Sequence, residues 1–324
     1  MTMAGLRKAG TLTAALLLLG AAPPVEPVLA PLDGAGWSLV WADEFEGDSL
    51  DLTKWTPEVS CWGGGNNERQ CYTDRPDNIA VEGGMLLLKA KQERFAGPAR
   101  PPEIADNPNP TLVQSHTSGK VRTIGKHFWR YGRIAVRAKV PPGQGTWPAV
   151  WMMPEDNAYG AWPRSGEIDI LEAVNIGAKC KKCEGGRGEN RTISALHFGN
   201  FAPKNRFVDS RTALPDLALP SDDFHVYSVE WGEGLIRFMV DDRVHLTVSA
   251  DQWSTAAPGA KGRPAAPFDQ PFYVMANLAV GGRLSEENNA RGVAADSFPA
   301  QFTIDWIRVY ACAGDPETGR ACMK

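Results

Sequence analysis

The segment RIAVRAKV, residues 133–140, decides the fold class because polar and apolar side chains alternate along its whole length. Its odd-numbered residues read Arg, Ala, Arg, Lys, and its even-numbered residues read Ile, Val, Ala, Val. A β-strand points successive side chains to opposite faces, so one face of this strand would be dry and the other wet. The pattern predicts a strand of an antiparallel sheet with one face packed on a core.

Short runs of the same kind fill the chain after residue 36, and Gly, Pro, Asn and Asp separate them. The other predicted strands are residues 37–45, 85–92, 120–125, 146–153, 192–199, 224–231, 235–240, 271–280 and 302–311. Asp241 and Asp242 would supply the turn of a hairpin that begins with residues 235–240. Roughly a dozen strands without intervening helices predict an all-β fold, a two-sheet antiparallel β-sandwich.

Three segments are predicted to be loops because they lack this alternation. They are the proline-rich residues 95–109, the segment 177–188 with its Gly, Lys and Cys residues, and residues 254–267. No repeat or linker divides the chain, so residues 36–324 are predicted to form a single domain.

Residues 1–30 have the pattern of a signal peptide with a short leader. Arg7 and Lys8 precede an apolar run at residues 12–22, and Pro23 and Pro24 end it. The run is too short for a transmembrane helix, and cleavage is expected between about residues 21 and 30. We therefore expect a secreted or periplasmic monomer that has no contact with the membrane once the signal peptide is removed.

Six cysteines in an exported chain predict disulfides. They fall into three local pairs: Cys61 with Cys71, Cys180 with Cys183, and Cys312 with Cys322. Zinc at Cys180 and Cys183 is the alternative, but no second CxxC or His pair at metal-ligand spacing accompanies them. The net charge of −4 comes without a basic stripe, which argues against nucleic acid or an anionic membrane as the partner and favours a neutral one.

Three carboxylates interrupt the aliphatic run GEIDILEAV, residues 166–174. On a regular strand Glu167 and Asp169 would share one face, whereas Glu172 would lie on the other with the aliphatic side chains. A β-bulge between Asp169 and Glu172 would insert one extra residue and turn Glu172 onto the face of the other two. A calcium site or a solvated edge strand would carry more Asn, Asp, Gly or Lys and fewer aliphatic residues. Since buried acids are costly unless they are paired, hydrated or used, we interpret this segment as catalytic.

Two glutamates with an aspartate between them suit glycoside hydrolysis, which needs no cofactor. As nucleophile Glu167 must be ionised, while Glu172 as general acid and base must hold a proton near neutral pH. Repulsion among like charges would raise one pKa in the required way. Asp169 would hydrogen-bond the nucleophile and share in that tuning.

Aromatic side chains near these acids would bind the flat faces of sugar rings. Trp147, Trp151 and Trp162 lie within twenty residues upstream, and Trp147 and Trp151 share one face of their predicted strand. Core packing is the alternative for each tryptophan. His197 lies on the strand predicted to pair with the acid strand, where a structural role and a role beside the acids are both open.

These motifs resemble glycoside hydrolase family 16, in particular its laminarinase-like members. The matching segments are WADEF (41–45), NNERQCYT (66–73), YGRIAVRAKVPPGQGTWPAVWMMP (131–154), WPRSGEIDILEAVN (162–175), FHVYSVEW (224–231), FDQPFYVMANLAVGG (268–282) and FTIDWIRVY (302–310). The resemblance implies a curved, concanavalin-like jelly roll with an open cleft on its concave face. It also implies retention of configuration with the three acids in the roles given above.

The resemblance implies further site residues. Asn66, Asn67, Arg137 and Asn277 would lie in or near the cleft, and a structural calcium ion on the convex face would be held by Glu44, the backbone near Gly84, and Asp305. The chain departs from the family pattern at Phe201, where a tryptophan is usual, and in the cysteine-bearing insert 177–188. Both departures concern fine specificity at one end of the cleft.

The function predicted from the sequence is retaining, endo-acting hydrolysis of 1,3-β-D-glucan such as laminarin, with mixed 1,3-1,4-β-glucan as a further candidate substrate. One alternative is a galactan hydrolase of agarase or carrageenase type, and a sulfated galactan would favour a more cationic cleft. The other alternative is a non-catalytic β-glucan-binding protein, which would gain nothing from like charges held close together.

Overall fold

The computed structural model describes Met1 and residues 36–324, so the predicted signal peptide, Met1 apart, lies outside the described residues. Within the described part of the chain, no helix is long and apolar enough to cross a membrane. Strands dominate this part, and the helices are short.

Seventeen strands lie in the described residues and are numbered in chain order. The first nine are β1 (Trp37–Asp43), β2 (Thr56–Pro57), β3 (Gln70–Tyr72), β4 (Ile79–Val81), β5 (Leu86–Pro98), β6 (Thr111–Ser118), β7 (Lys120–Arg122), β8 (Gly132–Lys139) and β9 (Thr146–Pro154). The others are β10 (Glu167–Ala173), β11 (Arg191–Gly199), β12 (Asn205–Ala213), β13 (His225–Gly232), β14 (Leu235–Val240), β15 (Arg243–Ser249), β16 (Phe272–Val280) and β17 (Ala300–Cys312). The helical segments are α1 (Gly282–Glu286) and 3-10 turns at Gly63–Gly65, Pro102–Ile104, Pro258–Ala260, Ala295–Ser297 and Arg320–Cys322.

The strands form two sheets. A seven-stranded sheet has the order β12-β11-β10-β9-β16-β7-β2, and a ten-stranded sheet has the order β15-β14-β13-β8-β17-β5-β6-β3 with β1 beside β17 and β4 beside β5. Pairing is antiparallel except between β3 and β6. The all-β sandwich predicted from the sequence is confirmed.

The core lies between the two sheets and takes alternate side chains from the central strands of each sheet. In β8 the even-numbered Ile134, Val136 and Ala138 are buried in this core, as the alternation predicted. In β16, which is central in the other sheet, Phe272 and Val274 lead the row that faces them. Each Ile, Val or Phe side chain in these rows stabilises the fold by about 1.5–3 kcal/mol when it is fully buried. The outward face of the seven-stranded sheet, here named the cleft face, therefore carries the alternate residues of β9, β10, β11 and β16.

Every strand predicted from the alternation is present, with bounds shifted by a few residues. The strand β12 was not predicted, because its sequence NRFVDSRTA is polar on most positions and it lies at a sheet edge, where charged residues are usual. The loop predicted to begin at Phe95 was placed too early, since β5 continues to Pro98 by pairing with β6.

The predicted hairpin turn is confirmed. Asp241 and Asp242 have φ values of 48° and 60°, the left-handed conformations that a two-residue type I′ turn requires. They join β14 to β15, whose ladder runs from Val240 opposite Arg243 to Leu235 opposite Ser249.

All three predicted disulfides are present. Cys61–Cys71, Cys180–Cys183 and Cys312–Cys322 have Cα–Cα distances of 4.0, 5.5 and 5.8 Å. The first ties the loop that leads to Asn66 onto β3, and the last ties the C-terminal 3-10 turn onto β17. The segment 177–188, which holds the middle disulfide, is a loop as predicted.

Candidate active site

The acid strand β10 carries the predicted bulge. On its β11 side Asp169 lies opposite Ala195 and Glu172 opposite Ile193, so three steps along β10 correspond to two along β11. On the β9 side the same interval runs from Trp151 to Ala149, again two steps. The extra residue reverses the alternation. Ile170 and Leu171 are both buried in the core, and Glu172 lies on the cleft face with Glu167 and Asp169.

A serine on the neighbouring strand stabilises the bulge. A bulge interrupts the hydrogen-bond ladder and leaves backbone groups in need of partners. The hydroxyl of Ser194, between Ile193 and Ala195, donates a hydrogen bond of 2.8 Å to the carbonyl of Ile170. Because Ser194 is buried, water does not replace this bond.

His197 lies directly across the ladder from Glu167 and joins the acids. Its Nε2 is 3.3 Å from Asp169 Oδ2 and 4.0 Å from Glu167 Oε1. The Asp169 side chain is 4% exposed and that of Glu167 is 16% exposed, so Asp169 lies beneath while Glu167 is within reach of a ligand. The sequence left the role of His197 open, and the structure places it beside the acids.

An indole N–H holds each glutamate in place. Trp147 Nε1 donates a hydrogen bond of 2.9 Å to Glu172 Oε1, and Trp162 Nε1 donates one of 2.7 Å to Glu167 Oε2. Trp162 precedes β10 in the loop and keeps its ring 43% exposed. These tryptophans were predicted as sugar-binding surfaces, and their role as donors to the acids was missed because it depends on side-chain placement.

Burial raises the pKa of all three carboxyl groups. For Glu172 burial outweighs the charge of His197 and the hydrogen bond from Trp147, and raises the pKa to about 7. For Glu167 burial and the neighbouring Asp169 charge together raise the pKa to about 8. For Asp169 burial also dominates, against the hydrogen bond to His197, and the pKa rises to about 6.

The pKa of His197 is raised as well, but by its charged neighbours and against the effect of burial. Burial alone would lower its pKa, but the carboxylate of Asp169, supported by Glu167 and Glu172, outweighs burial and raises the pKa to about 10. The imidazole is therefore a cation at neutral pH, and it offsets part of the negative charge that the three acids would otherwise concentrate.

Residues 66–308 match the family model described as glycosyl hydrolases family 16. The chain belongs to glycosyl hydrolase family 16. It is 38% identical over 296 residues to glucan endo-1,3-beta-glucosidase A1 from Niallia circulans, covering 89% of this chain and 39% of that protein's length. It is 36% identical over 278 residues to a beta-glucanase from Rhodothermus marinus, covering 85% of each chain. The X-ray structure of the laminarinase from Rhodothermus marinus is similar with a TM-score of 0.66 and 34% identity, over 85% of this chain and 97% of that one.

Some of the remaining predicted sugar-binding residues of this family 16 chain lie near the acids, and others do not. Trp151 lies opposite Asp169 and donates a hydrogen bond of 2.7 Å from its Nε1 to Asn277 Oδ1, so both are on the cleft face. Asn66 is close to Trp147, since a Cβ on Gly282 would touch both the Asn66 carbonyl and the Trp147 ring at 3.3 Å. Asn67 is exposed with a φ of 61°, and its place in the cleft stays a prediction.

The prediction that Arg137 lies in or near the cleft is wrong. This arginine lies on β8 in the ten-stranded sheet, on the face opposite to Val136 and away from the core, so it is not in the cleft. There it forms an ion pair with Asp305 and covers the ring of Phe224. The alternation in residues 133–140 indicated which face Arg137 occupies, but not which of the two sheets contains the strand.

The predicted calcium ligands do not fit a cation site as they are placed. Glu44 accepts two hydrogen bonds of 2.8 Å from Arg308, and Asp305 is paired with Arg137. The carboxylate nearest to Gly84 is that of Glu46. A calcium ion at Glu44 and Asp305 would have to displace both guanidinium groups from the oxygens it needs.

Two clusters in the described residues place three ligating atoms within 4.8 Å of one another. One is Glu167, Asp169 and His197, where the imidazolium already pairs with the acids. The other is Cys180, Cys183 and Glu189, where the cysteines form a disulfide and Glu189 pairs with Arg191. In both clusters the ligating atoms therefore already have other partners in the protein.

Two residues that were not predicted as site residues, Lys120 and Tyr72, lie on the β7 side of the cleft face. The Lys120 ammonium lies 5.0 Å from the centre of the Trp151 ring and is paired with Glu58 at 2.9 Å. Asn277 donates a hydrogen bond of 3.0 Å to the hydroxyl of Tyr72. Tyr72 belongs to the NNERQCYT motif, and that was the only signal in the sequence for this group.

Proposed function

We propose that this family 16 chain is a retaining, endo-acting hydrolase of 1,3-β-D-glucan. The bulge between Asp169 and Glu172 carries the proposal, because it puts Glu172 on the same face as Glu167 within one strand. Glycoside hydrolysis requires two carboxyl groups, and here two lie on one open face, each held by a hydrogen bond from an indole N–H.

The reaction would proceed in two displacements. In the first, Glu172 protonates the glycosidic oxygen while the Glu167 carboxylate attacks the anomeric carbon, so the glycosidic bond breaks and a glycosyl ester forms on Glu167. In the second, Glu172 accepts a proton from water, and the water oxygen displaces Glu167 from the anomeric carbon. The sugar leaves with its original configuration, and both carboxyl groups return to their starting states.

The raised pKa of Glu172 suits a group that holds a proton near pH 7. Glu167 must instead be ionised to attack, although burial and Asp169 raise its pKa. Because Glu167 and Asp169 titrate together, the pair keeps one proton between them over a range of pH. In the resting site the proton lies on Glu167, which has the higher pKa of the two, so it must pass to Asp169 before Glu167 can attack. The cationic His197, close to both carboxyl groups, balances the charge that remains.

The substrate class is supported by two observations. The relatives described above are named for 1,3-β-glucan or β-glucan hydrolysis. On the β7 side of the cleft face, Lys120 and Arg122 are also buried and paired with Glu58, so neither is free to bind a sulfate group. A sulfated galactan would need such cations to be unpaired.

The test compares the wild type with Glu167→Gln and Glu172→Gln on laminarin, mixed-linkage glucan, agarose and carrageenan. We expect laminarin to be cut to a range of internal fragments with the β anomer released first, and each variant to lose at least about 100-fold in kcat. Glu82→Gln, at an exposed salt bridge with Lys89, is the control and should retain full activity. Normal laminarin hydrolysis by Glu167→Gln, or cleavage of agarose alone by the wild type, would refute the proposal.

The proposed place of action is outside the cytoplasm. The three disulfides suit an oxidising compartment, and the first 30 residues have the pattern of a signal peptide. N-terminal sequencing of protein recovered from the medium or the periplasm should begin after about residue 21. A mature protein that still starts at Met1 would contradict export by this route.

A further inference from the structure

The side chains of Phe207, Asp209 and Arg211, on the edge strand β12, lie on the cleft face. This strand pairs with β11 along its whole length, with His197 opposite Phe207, Ala195 opposite Asp209 and Ile193 opposite Arg211. Because His197 faces the acids, residues directly opposite it and at even spacing from there lie on the same face. Val208, between Phe207 and Asp209, packs instead against the core.

The Phe207 ring ends a row of rings that starts at the acids. Trp162, which binds Glu167, lies 6.2 Å from the His197 ring, and His197 lies 5.7 Å from the Phe207 ring. Phe207 is nevertheless 59% exposed. An aromatic ring that is held on a rigid strand and left open to solvent offers a flat apolar surface at low entropic cost.

Two charged side chains follow Phe207 along the same face of β12, at steps of two residues. Asp209 and Arg211 are exposed, and among the described residues neither has a hydrogen bond or salt bridge with another side chain. The charge of Arg211 still reaches Glu172, whose pKa it helps to lower. A carboxylate acceptor and a guanidinium donor next to an aromatic ring match a pyranose, which has one apolar face and a rim of hydroxyl groups.

We propose that Phe207, Asp209 and Arg211 form a sugar-binding subsite at the β12 end of the cleft. The proposal rests on the function proposed above and adds a residue that sets preference for chain length. The strand β12 is two strands from β10, about 10 Å away, so the sugar bound there is not the one that reacts. Only a substrate long enough to reach β12 would gain this binding energy.

The expected consequence is a dependence on chain length. Binding energy from a remote part of a substrate can lower KM or raise kcat, and a truncated substrate loses it. Phe207→Ala should lower kcat/KM on laminarin and on long 1,3-β-linked gluco-oligosaccharides by about five- to tenfold, the value expected for a lost aromatic contact. On the shortest oligosaccharide that is cleaved, the loss should be clearly smaller.

Three comparisons separate this effect from general damage. Phe207→Tyr keeps the ring and should restore the preference for long chains. Phe128→Ala removes a phenylalanine that is 50% exposed between β7 and β8, and should behave as the wild type. In the Glu167→Gln background, Phe207→Ala should weaken calorimetric binding of the long oligosaccharides by a similar factor.

These experiments distinguish a failure of the subsite proposal from a failure of the proposed function. If Glu167→Gln abolishes hydrolysis but Phe207→Ala changes all chain lengths equally, or none, the subsite is refuted and the function stands. If the wild type cuts a different polysaccharide of the panel, the length series is made from that polymer, and the same comparison decides. If no polysaccharide is cut, the binding measurement decides, and unchanged affinity in Phe207→Ala refutes the subsite.

Discussion

At the scale of single residues, an indole hydrogen bond tunes the general acid. The Trp147 N–H donates to Glu172 and favours the ionised form, which partly counteracts the effect of burial on the pKa. Trp151 lies four residues further along β9, on the same face, and donates to the neutral amide of Asn277 instead. The two tryptophans share a face and differ in what their N–H groups bind.

Trp147→Phe should therefore move the alkaline limb of the pH profile upward. The wild type should lose kcat/KM above about pH 7, as Glu172 loses its proton. Without the indole donor the ionised form is less stable, so the pKa of Glu172 rises, by up to about one unit. The measurement is kcat/KM on laminarin between pH 4 and 10.

Trp151→Phe is the matched control, because it removes an indole N–H that no acid accepts. It should change the height of the profile and leave the alkaline limb in place. An alkaline limb that moves equally in both variants, or moves to lower pH in Trp147→Phe, would contradict this account of Glu172.

The identity of the acids could be predicted from the sequence, but the contacts of the surrounding side chains could not. Glu167, Asp169 and Glu172 are conspicuous because carboxylates in an aliphatic run are costly. That the indoles of Trp147 and Trp162 would bind them depends on side-chain rotamers and on loop packing, which leave no periodic signal. Arg137 shows the same limit, since alternation assigns a face and the topology of the whole sandwich assigns the sheet.

At the scale of strands, the bulge depends on one side chain of its neighbour. The Ser194 hydroxyl donates to the carbonyl of Ile170, a residue that has no register partner on β11. Ser194→Ala should lower the free energy of unfolding by about 1–3 kcal/mol, because a buried carbonyl loses its hydrogen bond. Urea unfolding measures this value, and activity should fall with it as Glu172 loses its fixed position.

Ser228→Ala is a control of equal size and burial. Ser228 lies on β13, and its hydroxyl has no hydrogen-bond partner in the described part of the chain. Its removal should be neutral or slightly stabilising, since the unpaired hydroxyl is already costly. Equal destabilisation by the two substitutions would show that volume, and not the bond to Ile170, is what matters.

The bulge could be predicted from the alternation of side chains between the two faces of a strand, whereas strand β12 could not be predicted. Glu172 is an odd number of steps from Asp169, so the two can share a face only if one residue is extra. The β12 sequence NRFVDSRTA has a polar or charged residue at most positions, so its weak alternation does not separate it from a loop. Its pairing with β11 depends on the position of β11 in the sheet, which a local pattern does not reveal.

At the scale of the whole molecule, the acid cluster makes the folded state less stable as the pH rises. Carboxyl groups with raised pKa values bind protons more tightly when folded, so their ionisation destabilises the fold above pH 4.5 and up to their folded pKa values. The raised pKa of His197 acts in the same direction. Its stabilising contribution is complete below about pH 6.5 and is lost as the pH rises towards about 10.

Glu167→Gln should consequently be more stable than the wild type, with a difference that grows with pH. At pH 5 Glu167 is protonated in the folded state, so a neutral amide of the same shape changes little. At pH 9 the wild type must bury a second carboxylate beside Asp169, which the variant avoids, and we expect a gain of roughly 1–3 kcal/mol, or about 2–10 °C in Tm. Thermal unfolding at both pH values measures it, with Glu82→Gln as an exposed control that should show no pH-dependent difference. A variant less stable than the wild type at pH 9 would mean that the attraction between Glu167 and His197 outweighs the cost of burying the Glu167 carboxylate. The acid cluster would then not lower the stability of the folded state.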